Sequence, residues 1–344
     1  MIDILRNLGW STHFARQVEL DPNADPQSHP VRVAAVHRSR LDGFSTFGPI
    51  SLSPVVGAGL YAVGDWVIAT GAAASEPLER TTKIIRRAAG EESKPQLIAA
   101  NVDTLGIVTS CNDDFNVARL ERYLAMCAAS GCLPLLIITK SDQCEDPDYF
   151  VKQARKLSPM LSAIAVNAMD DEDVKQLNPW CSKGQTLALV GSSGVGKTTI
   201  QNRLTDVIDA TQDIRAGDAK GRHTTTNRNL RATFAGGWLI DTPGMRELRL
   251  VDAEHGVDEV FADITDLAMT CKFNDCAHVT EPGCAIRAAV IKGLLDTDRI
   301  ERWRKLEKEN RFNTATVGEN RGHLKRLQKM HDQSQARGKA KRKT

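Results

Sequence analysis

Gly191-Ser-Ser-Gly-Val-Gly-Lys197-Thr198 decides the fold of this chain, because it matches the pattern G-x-x-x-x-G-K-[ST]. It follows the apolar run TLALV (186–190) and opens a segment with helical periodicity. A glycine-rich turn between a strand and a helix N-terminus wraps backbone N–H groups around phosphate oxygens. The stretch therefore predicts a phosphate-binding loop in an α/β sheet; a chance glycine-rich turn is the alternative.

Residue types in this loop suit a nucleoside triphosphate. Lys197 is expected to reach the β- and γ-phosphates, and Thr198 to offer its hydroxyl to Mg²⁺. The predicted nucleotide-binding residues here are Gly191, Ser192, Ser193, Gly194, Val195, Gly196, Lys197, Thr198 and Thr199.

Two downstream elements are expected to complete the part of the nucleotide-binding site that contacts the phosphates and Mg²⁺. Asp241 ends the apolar strand GWLI (237–240), where a carboxylate can hold Mg²⁺ through water, and Gly244 can offer its N–H to the γ-phosphate. Between the two motifs lies GRHTTT (221–226), a polar stretch suited to a switch loop. Thr225 is favoured as the hydroxyl on the metal side, and Thr224 is its competitor.

The residues that select the base lie upstream of the phosphate loop. Thr139-Lys140-Ser141-Asp142 follows the strand LPLLII and resembles the N-K-x-D element, in which a carboxylate accepts hydrogen bonds from guanine. Adenine lacks those donors and would leave the carboxylate unpaired. Asn167-Ala168, just after LSAIAV, lies where guanine-binding proteins carry a Ser-Ala whose amide meets O6.

These elements run in a circularly permuted order. The base-reading motifs come first, then the phosphate loop, then the two switch elements, whereas Ras-like GTPases begin with the phosphate loop. Strand and helix patterns alternate from about Leu97, which predicts a mostly parallel sheet. Contacts and not chain order define such a site, so the sheet tolerates the permutation.

A cysteine-rich knot follows, with the spacing Cys271-x4-Cys276-x-His278-x5-Cys284. Three thiolates and one imidazole suit tetrahedral Zn²⁺, and a full set of protein ligands indicates a structural role. A disulfide alternative leaves His278 unused. The remaining cysteines have no ligand spacing and are interpreted as packing residues.

The composition of the chain indicates its broad class and the partners that we expect for it. The chain has 344 residues, 41% of them hydrophobic and 26% charged, and no apolar run approaches a membrane span, so we expect a cytoplasmic, monomeric protein without a membrane partner. Nine Lys or Arg lie between Arg321 and Lys343 against Asp332 alone. Such an arm suggests contact with phosphate backbones, although a solvated tail has the same composition.

Five units are predicted along the chain. Short alternating apolar runs between Val31 and about Arg87 indicate a small β-barrel, whose Arg38, Arg40, Phe44 and Phe47 are candidates for RNA contact; a merely stabilising barrel is the alternative. The predicted units are an N-terminal extension (1–29), a barrel (30–92), a permuted nucleotide-binding domain (93–250), a helical zinc-binding domain (251–310) and a basic tail (311–344).

With these motifs in view, the chain resembles the bacterial ribosome small-subunit-dependent GTPase family, RsgA (YjeQ), over about residues 30–300. The stretches that carry the resemblance are VGDWV (63–67), QLIAANVD (96–103), RYL (122–124), DTPGMRE (241–247) and CKFNDCAHVTEPGCAI (271–286). The resemblance implies an OB-fold, a permuted GTPase domain that binds GTP or GDP with Mg²⁺, and one structural Zn²⁺. It also implies late maturation of the 30S subunit in contact with its 16S rRNA. Thr139 replaces the usual Asn, and Asn167 the usual Ser.

Hydrolysis is expected to need help from the ribosomal subunit. Met245 stands where Ras-like proteins carry their water-orienting Gln, and it cannot align an attacking water. His223 in the switch loop is the candidate catalytic residue, although it has an equally weighted structural alternative. The rival functions are a P-loop ATPase or small-molecule kinase, and an RNA-binding scaffold that holds GTP without turnover.

Overall fold

The computed structural model describes residues 2–19, 27–87, 95–206, 228–241 and 253–314. The predicted His223, Thr225 and Gly244 lie outside these ranges, as do Met245 and the basic segment from Arg321 to Lys343. Described helices are α1 Ile2–Asn7, α2 Thr12–Glu19, α3 Val117–Ser130, α4 Pro147–Arg155, α5 Asp171–Val174, α6 Lys197–Leu204, α7 Glu254–Val260, α8 Ala262–Ala268, α9 Ala285–Ile291 and α10 Thr297–Thr314. Described strands are β1 His29–Val36, β2 Leu41–Ser45, β3 Gly48–Pro54, β4 Trp66–Thr70, β5 Ala73–Ala74, β6 Lys83–Arg87, β7 Pro95–Ala100, β8 Thr104–Ser110, β9 Leu133–Thr139, β10 Ser162–Val166, β11 Thr186–Gly191, β12 Asn229–Ala232 and β13 Trp238–Asp241.

The first strands close into a barrel in the order β1-β2-β3-β5-β4, with β3 and β5 parallel. Alternate side chains point inward and form the barrel core, which includes Val31, Val33, Leu41, Leu52 and Val67. This arrangement confirms the OB-type barrel. Strand β6 lies outside it and pairs with β7 in a separate antiparallel hairpin.

The central unit is a sheet whose described strands run in the order β10-β9-β8-β11-β13-β12. All are parallel except β12, which is antiparallel to β13. Every residue of β8 and β11 is buried, as expected for strands covered on both faces. In the sheet, β9 lies on one side of β8 and β11 lies on its other side. The chain therefore changes the side to which it adds strands after β10. Ligands of such sheets bind at the carboxyl ends of the strands, where this switch occurs.

The N-terminal extension, to which the sequence assigned no function, joins the barrel to the central sheet. Trp10 packs edge-on against Trp66 of the barrel, with ring centroids 4.8 Å apart. The Trp238 indole donates to the Asn7 carbonyl across 2.7 Å. Phe44 packs against Trp238 at 5.1 Å, so the proposed RNA contact for this ring is not supported by its position.

A buried arginine stabilises the same junction between the N-terminal extension, the barrel and the central sheet. Arg32 on β1 is 1% exposed, and its guanidinium donates to the Leu8 carbonyl, the Asn101 carbonyl and the Thr186 hydroxyl. Burial lowers the pKa of Arg32 to about 10, with a smaller opposing effect from Asp103. The guanidinium remains charged at neutral pH, and its donors reach three different parts of the fold.

The C-terminal helices pack on α3 of the central unit. Gly256 on α7 lies so close to α3 that an added Cβ would meet the Ala125 carbonyl oxygen at 2.0 Å. Arg299 and Arg302 on α10 bind the buried carboxylate of Glu121 on α3. Within the described ranges, no helix has both the length and the apolar character needed to cross a bilayer.

Candidate nucleotide-binding site

The turn between β11 and α6 has a backbone that requires glycine. Gly191 has φ 142°, and a Cβ at this position would meet the Val108 carbonyl oxygen at 2.2 Å. Gly194 and Gly196 also have positive φ angles, of 78° and 93°. This glycine-dependent turn lies where the sequence predicts the phosphate-binding loop, and α6 begins at Lys197 as expected.

Lys197 curls back over this turn. Its ammonium donates to the Gly191 carbonyl across 2.9 Å and to the Ser192 carbonyl. Ser193 and Gly194 at the tip are exposed. Thr198 and Thr199 lie in the first turn of α6, where the partial positive charge of the helix end attracts phosphate.

The predicted metal-side carboxylate lies at the same edge of the sheet. Asp241 ends β13, which neighbours β11, so both Asp241 and Gly191 end parallel strands side by side. The buried Gln201 on α6 donates through Nε2 to the Asp241 carboxylate across 2.7 Å. This bond holds the carboxylate against α6, the helix that also carries Thr198.

The predicted base-reading turn follows β9. Lys140 has a left-handed backbone, with φ 59°, and leads into a short 3₁₀ turn at Ser141–Gln143. Asp142 is exposed, so its carboxylate oxygens are accessible to a base. Thr139 is fully buried, and its hydroxyl lies against the Val195 carbonyl at 2.6 Å. Its hydroxyl thus faces the phosphate loop and is not presented to a base.

The second base-reading loop lies beside the first. The Asn167 backbone N–H donates to Asp173 across 2.7 Å, and its side-chain oxygen accepts from the Met169 N–H across 2.9 Å. These bonds fix the chain on both sides of Ala168. An added Cβ on Gly196 would lie 3.8 Å from the Ala168 Cβ and 3.6 Å from the Thr139 Cγ2. The three motifs therefore converge at one point.

The cysteine-rich knot forms a compact cluster apart from this edge. The ligand atoms of Cys271, Cys276, His278 and Cys284 all lie within 4.8 Å of one another. His278 Nδ1 lies 3.5 Å from Cys271 Sγ and 3.6 Å from Cys284 Sγ, and those two sulfurs are 4.0 Å apart. Tetrahedral zinc requires about 3.6 Å between S and N ligands and about 3.8 Å between sulfurs. The cluster fits this ion.

Surrounding groups hold the knot in shape. The Ala285 N–H points at Cys271 Sγ from 3.3 Å, and Arg304 on α10 donates to the His278 carbonyl across 2.6 Å. The Glu281 carboxylate accepts hydrogen bonds from its own backbone N–H and from the N–H groups of the turn around His278, and these bonds lower the pKa of Glu281 to about 2. All eight cysteines are free thiols, so the disulfide alternative fails. Burial raises the pKa of Cys132 to about 12, in line with a packing role.

Comparison with known proteins identifies the family. The sequence model described as "RsgA GTPase" matches residues 77–251. A protein from Mesorhizobium japonicum named "Small ribosomal subunit biogenesis GTPase RsgA" is 49% identical over 92% of this chain and 93% of the relative. The chain belongs to the RsgA GTPase family. As a member of that family it is a GTP-hydrolysing enzyme.

Further relatives and solved structures agree with the assignment to the RsgA family. A Vibrio parahaemolyticus protein named "Small ribosomal subunit biogenesis GTPase RsgA 2" is 44% identical over 95% of this chain and 91% of the relative. The crystal structure of YjeQ from Thermotoga maritima matches with a TM-score of 0.59 at 22% identity, covering 81% of this chain and 97% of that one. YloQ, titled a circularly permuted GTPase, matches with a TM-score of 0.58 at 20% identity, covering 86% and 99%. The permuted RsgA fold is confirmed.

Two supporting residues of this RsgA family member escape motif analysis. Gln201 lies one helical turn after Lys197, on the side of α6 that faces Asp241. Asp173 holds Asn167 from a short helix six residues on. The spacing of Gln201 from the phosphate loop could have predicted its position near Asp241. The hydrogen bond of Asp173 depends on a local fold that no sequence pattern predicts.

Proposed function

We propose that this GTPase acts in small ribosomal subunit biogenesis, during late maturation of the 30S subunit, and that the subunit stimulates its hydrolysis of GTP. The convergence of the Thr139 turn, Ala168 and Gly196 at one edge of the sheet carries the nucleotide part of this proposal. The printed names of the relatives support the ribosomal part.

In the proposed complex, Asp142 accepts hydrogen bonds from the guanine edge, and the Lys140 stem covers the ring. The Ala168 amide meets guanine O6. The phosphate loop from Gly191 to Thr199 surrounds the phosphates, and Gly244 donates to the γ-phosphate. Mg²⁺ is held by Thr198, Thr225 and, through water, Asp241.

Two parts of the chain suit contact with the subunit, the barrel and the basic tail. On the barrel, the Phe47 ring is 74% exposed and can stack on a base, and Arg38 and Arg40 lie nearby in the chain. The basic tail supplies positive charge that can contact the 16S rRNA backbone.

One structural Zn²⁺, held by Cys271, Cys276, His278 and Cys284, keeps the C-terminal helices in place. The protein works in the cytoplasm, where the subunit is assembled.

Sedimentation with purified ribosomal subunits tests the ribosomal part. The full chain is mixed with small or large subunits in the presence of a non-hydrolysable GTP analogue or GDP. We expect co-sedimentation with small subunits, stronger with the analogue than with GDP, and none with large subunits. Equal binding to both subunits in both nucleotide states would refute the proposal.

A further inference from the structure

A cavity of about 280 Å³ lies where the barrel, the β6–β7 hairpin and the start of β12 meet. Val36 and Tyr61 line it from the barrel, and Gln96 and Ile98 line it from the hairpin. Arg228, the residue before β12, is the charged side chain among the described residues of the lining. The cavity lining thus combines one guanidinium with both polar and apolar surface.

Among the described residues, the guanidinium of Arg228 has no ion-pair partner. Its Nε is shielded from solvent and has no hydrogen-bond acceptor. Burial lowers the pKa of Arg228, and the nearby positive charge of Arg86 lowers it further. Arg228 is half-buried, and a shielded N–H group without an acceptor is costly, so this side chain favours the binding of an anion.

Other buried arginines in the described ranges are treated differently by the fold. Arg32 has three oxygen acceptors for its terminal nitrogens, and Arg80 binds the buried Asp65 carboxylate at 2.6 Å. Burial is therefore accompanied by acceptors at both of those sites. The Nε of Arg32 lacks an acceptor as well, but the terminal nitrogens of Arg32 are bonded, whereas Arg228 borders an open cavity and no described acceptor contacts it.

We propose that this cavity binds a phosphate group through the Arg228 guanidinium. The planar fork of arginine matches phosphate oxygens and can bind two of them at once. Two sources carry this chemistry: a free phosphate or phosphomonoester, and a phosphate of the rRNA backbone. The second source rests on the proposed function; the first does not.

Strand β12 connects this cavity to the predicted nucleotide-binding site. Arg228 immediately precedes Asn229, which pairs with Asp241 across β12 and β13. Strand β1 of the barrel packs against β12. A phosphate held here therefore links the barrel to the strand that follows the predicted switch loop, 221–226.

The first test uses inorganic phosphate as the probe. The full chain is saturated with Mg²⁺ and a non-hydrolysable GTP analogue, so that the phosphate loop is filled, and phosphate is added at constant ionic strength in a calorimeter. We expect saturable binding that Arg228→Leu and Arg228→Gln weaken by about tenfold or more. Arg231→Leu is the matched control, because Arg231 lies three residues along and does not line the cavity.

The second test measures affinity for purified small subunits as a function of salt. If the ligand is an rRNA phosphate, Arg228→Leu lowers the slope of log K against log salt by about one, and Arg231→Leu does not. A change in this slope alone assigns the rRNA source, and a change in phosphate binding alone assigns the free anion. If folded Arg228 variants match Arg231→Leu in both tests, the proposal is wrong. If no subunit binding occurs at all, the proposed function fails and the phosphate titration alone decides this site.

Discussion

The hydroxyl of Thr139 lies 2.6 Å from the carbonyl oxygen of Val195, although the two residues are 56 positions apart. The Thr109 carbonyl is the other acceptor, at 3.0 Å. Thr139 stands where the related motif has Asn. This hydrogen bond explains how threonine can replace asparagine at this position, because the hydroxyl connects the predicted base-reading turn to the predicted phosphate loop.

Thr139→Val keeps the shape of this side chain and removes the hydrogen bond. A buried carbonyl loses its donor, at a cost of about 1–3 kcal/mol, and the two loops lose a link. We expect affinity for GDP to fall by roughly fivefold or more, measured with a fluorescent guanine nucleotide. Thr139→Ser keeps the hydroxyl and should bind nearly as the wild type does; equal affinity of the Val variant would exclude a role for the bond.

Asp142→Asn tests base recognition. The carboxylate offers two acceptors to the guanine edge, and an amide offers one acceptor and one donor group. We expect weaker GTP binding and a new preference for xanthosine triphosphate, measured by competition. Asp148→Asn, on the exposed start of α4, is the control. An unchanged preference for GTP would remove Asp142 from the base site.

Cys276→Ala tests the zinc centre. Loss of one thiolate from four ligands should reduce the metal content from one zinc per chain and destabilise the C-terminal helices, because Arg304 and Trp303 of α10 contact His278. Elemental analysis of protein prepared without chelators measures the zinc. Cys144→Ala, outside the cluster, should keep the metal. Wild-type protein without zinc would contradict the assignment.

Glu121→Ala tests the junction between α3 and the C-terminal helices. Glu121 is fully buried and lies 3.1 Å from Arg299 and 2.7 Å from Arg302. Removing it leaves positive charge at a partly buried position, and we expect a loss of about 2–4 kcal/mol in the free energy of unfolding by urea. Glu172→Ala, which breaks the exposed pair with Lys175, should change stability far less. Equal effects of the two variants would contradict this account.

The central sheet and both ligand sites follow from local patterns. Glycine spacing around Gly191 and the buried runs of β8 and β11 depend only on neighbouring residues, so the sequence predicts them. The knot is equally local, since its four ligands span 271–284. The geometry of such motifs is determined by residues that are close together in the sequence.

Long-range contacts could not be predicted in the same way. Arg32 is polar and lies in a strand pattern, and only its bonds to groups 24, 69 and 154 residues away explain why it is buried. Phe44 has the type and position of an RNA-stacking residue, yet its half-buried ring packs against Trp238 of the central sheet. The role of Thr139 likewise required Val195 to be placed beside it.

His223→Ala tests how hydrolysis is completed. Met245 is apolar, whereas an imidazole with a pKa near 6.5 can accept a hydrogen bond from water at neutral pH. We expect the variant to keep GTP and subunit binding and to lose most of the stimulated turnover, whereas Lys197→Ala should impair nucleotide binding itself. Full stimulated turnover without His223 would point to a ribosomal group.

Multiple-turnover release of phosphate from GTP, with and without purified small subunits, tests the central claim most directly. We predict slow release by the protein alone, a marked increase on addition of small subunits, and no increase with large subunits. The same slow rate in the presence of saturating, bound small subunits would contradict the account.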